Sequence, residues 1–88
     1  MTNNELWSKI KIFEGETFYT ATGLPFTYIF IDEDRIQPIR DGSPKWVVHR
    51  SMIEYARTLL DGNKTVFNKK VIAPSYVKGI LTDPRIME

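Results

Sequence analysis

The stretch ETFYTATGLPFTYIFIDEDRIQPIR, residues 16–40, is the part of the chain that leaves folding the fewest choices. Phe18, Tyr19, Thr20 and Thr22 are strand formers, GLP at 23–25 is a turn, and Phe26, Tyr28 and Phe30 alternate with Thr27, Ile29 and Ile31. Aromatic and β-branched side chains suit a pleated surface, and period-two alternation sends each set to one face. Both faces of this strand are partly apolar. Asp32, Glu33 and Asp34 form a second tight turn, and residues 35–40 return as a third strand. Pro38 has no N–H for a ladder, so this strand is expected at an edge. The stretch therefore reads as a three-stranded antiparallel meander, and the rest of the chain must cover it.

Three segments are candidates for that cover. TNNE at residues 2–5 has capping-box spacing, with Thr2 as N-cap and Glu5 reaching back. Leu6, Ile10 and Phe13 then make an apolar helical stripe beside Trp7, and Gly15 suits a left-handed stop. The alternation in KIKI leaves a short strand over 9–13 as the other reading. WVV at 46–48 reads as a short extended segment. The best amphipathic helix spans 50–61, with Met52, Ile53, Ala56, Leu59 and Leu60 on one stripe; either Ser51, paired with Glu54, or His49 is its cap. NKTVFNKKVIA reads as a polar, basic connection. Pro74 opens a last helix through Tyr76, Val77, Ile80 and Leu81, which ends near Thr82 because Pro84 bars Asp83 from helical geometry.

A chain of 88 residues with eleven aromatics among its 42% hydrophobic content can close one core, so a single domain over 1–88 is expected. Cysteine is absent, which excludes disulfides, thiolate metal sites and a Cys nucleophile. That absence suits a reducing cytoplasm. The first sixteen residues hold no apolar run of signal-peptide type, and no stretch approaches the ~20 apolar residues of a membrane span. A cytoplasmic protein without membrane association is the expectation. Net charge is +1, yet residues 1–34 carry two Lys against six carboxylates, while residues 35–88 carry ten Lys or Arg against five. The asymmetry reads first as two layers of one fold matching each other, and second as a basic face for phosphates.

Two segments look familiar together. Gly15, Phe18, Thr20, Gly23, Pro25, Phe26 and Tyr28 fit a G-x-x-F-x-T-x-x-G-x-P-F-x-Y hairpin, and PSYVKGILTDPRI fits a P-S-Y-[VI]-x-x-I-L-x-D-x-R-I tail. With these motifs the chain resembles a family of small uncharacterised prokaryotic proteins and domains. The resemblance spans most of the chain and implies the same order of elements. His49 stands where that family usually has Ser before the middle helix. No activity, cofactor or substrate comes with it.

Chemistry-bearing residues are few. His49 is the only histidine and lies two residues from Ser51 at a helix start, where capping accounts for both. No H-x-x-x-H or E-x-x-H spacing supports zinc, and no glycine-rich phosphate loop is present. DEDR at 32–35 reads as a solvated turn rather than a cation site, since consecutive acids on a turn diverge. Arg50, Lys64, Lys69, Lys70, Lys78 and Arg85 could contact phosphates if helices 50–61 and 75–82 formed a winged helix-turn-helix. The connection of about 12 residues is too long for the usual 3–4-residue turn. Gly79 inside the last helix fits close backbone packing better than base reading, and Arg85 is expected to pair with Asp83 or Glu16.

The expected fold is α+β: an N-terminal helix, the meander, and two C-terminal helices on one sheet face, the last a latch on the core. The expected function is a non-enzymatic interaction module for a partner protein, with no cofactor. A weak nucleic-acid binder using the basic C-terminal half is the alternative. An exposed apolar or aromatic patch favours the first, and one basic face favours the second.

Overall fold

The computed structural model describes residues 1–87 and has an α+β architecture. Helix α1, Asn3–Ile12, starts with the capping box foreseen at Thr2 and Glu5 and buries Leu6, Trp7 and Ile10. Ile12 is 72% exposed, so KIKI is the last helical turn and not a strand. Gly15 adopts φ +85, and its N–H donates to the Tyr28 carbonyl. Strand β1 is only Phe18–Tyr19; Thr20, Gly23 (φ +87) and Leu24 close a tight turn through backbone bonds and the Thr20 hydroxyl. Strands β2, Pro25–Asp32, and β3, Arg35–Arg40, form the central hairpin.

Two further pairs of residues extend the sheet to five strands. These are β4, Ser43–Pro44, and β5, Val48–His49, both antiparallel to β3. β3 is therefore interior, which corrects its assignment to an edge. The reason is local. The Pro38 carbonyl accepts from the Lys45 N–H at 2.8 Å, so the edge of Pro38 that lacks a donor faces the incoming strand. Register there is broken: Ile39 faces Pro44 and Ile36 faces Val48, so residues 45–47 stand opposite residues 37–38 alone. That three-against-two count is a bulge, and it falls where Pro38 has no N–H to offer.

Helix α2, Arg50–Thr58, follows directly, and the cap is His49, whose Nδ1 accepts from the Ser51 N–H at 3.1 Å. The segment read as a connection is itself a helix, α3, Lys64–Lys70, capped by Asn63 and anchored by buried Phe67. With only one apolar residue in contact with the core it carries no stripe for a pattern to find. Helix α4, Pro74–Leu81, buries Val77, Gly79, Ile80 and Leu81, and a short α5, Pro84–Met87, adds Ile86. Thus four C-terminal helices stand where two were expected. Pro84 ends α4 as anticipated and then opens α5, since a first-turn proline loses no helical bond.

One core joins these elements. Phe18, Phe26, Tyr28, Ile36 and Val48 from the sheet meet Leu6, Ile10, Ile53, Ala56, Phe67, Val77, Ile80, Leu81 and Ile86 from the helices. Tyr28 sits at its centre, its hydroxyl donating to the Ile10 carbonyl at 2.5 Å, and burial raises its pKa. The latch reading holds geometrically: Tyr76 packs edge-on to Phe26 at 5.0 Å, and a Cβ at Gly79 would collide with the Tyr19 carbonyl.

Candidate functional site: the open face of the sheet

Side chains alternating with the core row lie on the opposite face of the sheet. There Thr27 is paired across from Ile39, and Ile29 from Gln37. Ile29 is 39% exposed and Val47 40%, while Thr27, Gln37 and Ile39 are half-buried. The buried residues of all helices belong to the single core on the other side, so this face is uncovered. Of its charges, Arg35 pairs with Asp32 at 2.6 Å. Asp32 is held below its ordinary pKa by the Arg35 hydrogen bond first and the Asp34 N–H second.

The bulge decides what stands at the border of this face. Bulges re-aim side chains, and Trp46, the middle bulge residue, projects into solvent at 74% exposure. Gln37 steadies the segment by donating from Nε2 to the Lys45 carbonyl at 2.9 Å. The indole N–H of Trp46 has no partner among the described residues. Trp7, by contrast, is buried at 3% exposure and donates to the Glu33 carbonyl. At the strand end of the hairpin, reaching from the start of β2 to the turn between β3 and β4, Thr17, Pro25, Phe26, Thr27, Ile39, Asp41 and Gly42 line a shallow cavity of about 240 Å³.

The six cations proposed for phosphate binding do not form one set. Arg50 donates to Glu54 at 2.8 Å and to Asn4, and its guanidinium lies over Trp7, so it fastens α2 to α1. Arg85 pairs with Asp83 at 3.0 Å, donates to the Thr17 carbonyl and stacks 4.2 Å from the Phe18 ring centre. Of the two acids foreseen for it, Asp83 is the partner, and that bond lowers the Asp83 pKa. Lys64, Lys69 and Lys70 share α3, where Lys78 joins them by lying over Phe67.

The acidic turn is a solvated turn with committed carboxylates. Glu14 accepts from the Phe30 N–H at 2.7 Å and caps the outer edge of β2, while Asp32 holds Arg35 and the Asp34 N–H. An open cleft of about 340 Å³ lies there, walled by Lys11, Glu14, Phe30, Asp32 and Glu33. No group of three or more His, Asp or Glu side chains is arranged to hold a metal among the described residues, and none of their helices is long and apolar enough to cross a membrane.

Reading the sequence alone did not single out Trp46. The usable signal was Pro38: a donorless residue inside a sheet calls for an edge or a bulge opposite, and Trp46 lies in the segment that returns past it. In comparisons with known proteins, the chain matches no protein-family model, no curated protein and no solved structure.

Proposed function

We propose that this protein is a small, non-enzymatic interaction module that docks a partner protein on the open face of its sheet, with Trp46 as the anchor. The observation that carries the reading is a tryptophan 74% exposed on a hydrogen-bonded bulge, bordering a face of Ile29, Ile39 and Val47. An indole brings large apolar area at low entropy cost and keeps a polar handle, which is why Trp dominates interface hot spots. The face offers few unmatched charges, so it suits an apolar or neutral partner surface better than phosphates. The cysteine-free composition fits a cytoplasmic setting for that partner.

The nucleic-acid alternative draws less support. Arg50 and Arg85 are spent on internal contacts, which leaves Lys64, Lys69, Lys70 and Lys78 around α3 and α4. Photo-crosslinking separates the readings. Benzoylphenylalanine at position 47 should give discrete protein adducts that disappear when Trp46→Ala is added, and the same probe at position 64 should give none of them. Equal adducts at both positions, or adducts indifferent to Trp46, would refute docking on this face.

A further inference from the structure

We infer that the joint between β5 and α2 is a pH-sensitive catch, which neutral His49 closes and protonated His49 opens. The first turn of a helix leaves N–H groups without partners, and a cap of Ser, Thr, Asn or Asp ordinarily offers one of them an oxygen. Here the acceptor is a ring nitrogen. His49 Nδ1 accepts from the Ser51 N–H at 3.1 Å and lies 3.0 Å from the Ser51 hydroxyl. An imidazole nitrogen accepts only while it carries no proton, so this contact selects the neutral ring with its hydrogen on Nε2. The caps at Thr2 and Asn63 do not titrate, and Asp83, which accepts from the Arg85 N–H, does so only at lower pH. Imidazole changes charge near pH ~6.5.

The surroundings offer an imidazolium little. His49 is exposed, so protons reach the ring from solvent. From β3, Arg35 stands directly across from it in the ladder, and from α2, Arg50 follows it in the chain. The carboxylates that serve those two are engaged: Asp32 holds Arg35 at 2.6 Å, and Glu54 holds Arg50 at 2.8 Å. Asp34 is the further acid at the joint, and its carbonyl accepts from the Arg50 N–H at 2.6 Å. Among the described residues the ring bonds to Ser51 and to no carboxylate. A proton on Nδ1 also puts positive charge at the N-terminal end of α2, the end whose dipole disfavours cations. The Ser51 hydroxyl can turn to accept from the new Nδ1–H, which still leaves the Ser51 N–H without its acceptor.

The sign follows from the contact. The closed catch binds no proton at Nδ1 and the open one does, so closure is favoured at high pH. It is lost as pH falls through the range in which imidazole titrates. An ordinary N-cap shifts a helix-end equilibrium about fivefold, and repulsion from the helix dipole adds to that. Packing bounds what opens. Val48 on one side and Ile53 on the other are fully buried, so the change is confined to residues 49–52, including Arg50, which ties α2 to Asn4 of α1. β5 also anchors the far end of the bulge that carries Trp46. The catch works in this way whatever the open face binds.

Unfolding of the full chain in urea, from about pH 8 to about pH 5 across the imidazole range, tests this beside His49→Ser. Serine caps without titrating, and the carboxylates common to both chains cancel in the comparison. Over that range the folding constant of the parent should fall about fivefold relative to that of His49→Ser, the strength of one cap. On the parent alone, 1H–15N spectra should show the Ser51 amide proton moving upfield as its bond is lost, with the same midpoint as the His49 ring protons. That second measurement needs no variant, so it stands whatever the overall stability of His49→Ser. A ratio of folding constants that stays level or rises in acid overturns the catch. So does a Ser51 amide that stays in place while the His49 ring titrates.

Discussion

Gly79→Ala gives the sharpest check on how the C-terminal helix is seated, because two physical effects predict opposite signs. Gly79 lies inside α4, where an isolated helix would gain about 0.8–1.0 kcal/mol from alanine. In the folded protein a Cβ there would fall on the Tyr19 carbonyl oxygen, 3.1 Å from its carbon and 3.2 Å from the Phe26 ring. Backbone of β1 is the obstacle, and no rotamer change relieves it. Either α4 lifts off the sheet, loosening Val77, Ile80 and Leu81, or β1 is pushed away from β2. Forcing an extra carbon into a packed core costs about 1–3 kcal/mol, and here the obstacle is rigid, so we place the gross cost at the upper end or above it. After the propensity gain, net destabilisation of about 1–2 kcal/mol or more is expected. For a domain of this size that lowers Tm by roughly 4–15 °C. Urea unfolding followed by far-UV circular dichroism would measure it, with an unchanged m-value as the control for two-state behaviour. A Gly79→Ala protein as stable as the parent, or more so, would show that α4 does not sit against β1.

Three further outcomes are expected. Deleting residues 74–88 removes fully buried Val77, Ile80, Leu81 and Ile86, each worth roughly 1.5–3 kcal/mol, against a total of about 5–15 kcal/mol; cooperative unfolding should vanish, and a truncated chain melting near the parent would refute the latch. Asp83 has its pKa lowered in the fold by Arg85, so its contribution is present above the unfolded carboxylate range and is lost as pH falls toward the folded value. Asp83→Asn should therefore flatten the acid limb of Tm against pH below about pH 4, where free Asp titrates, and an unaltered limb would show that the pair is inconsequential. The double change Lys69→Glu with Lys70→Glu should leave stability within about 0.5 kcal/mol, as for surface sites, and anisotropy titrations at ~50 and ~200 mM salt should show no phosphate-driven binding to duplex DNA. Micromolar binding that weakens with salt and disappears in the double mutant would restore the nucleic-acid reading.

What the sequence determined by itself was whatever rests on neighbours along the chain. The Thr2–Glu5 capping box, the left-handed Gly15, the turn at Gly23, the hairpin of β2 and β3 and the amphipathic face of α2 are local, and each appears where the residues place it. So does Pro74 opening α4. Gly79 also announced a close approach, because glycine within a helix needs a compensating contact, though not that the contact was Tyr19. Tertiary structure decided what depends on partners far apart. α3 exists because Asn63 caps it and the core accepts Phe67, and Arg85 lies between Thr17, Phe18 and Asp83 because α5 returns to the start of the sheet. β3 became interior only when residues 43–49 came back along it, and the bulge at Lys45 to Val47 arose because that strand met Pro38. Composition could count two tryptophans; only this pairing buried one and pushed the other into solvent.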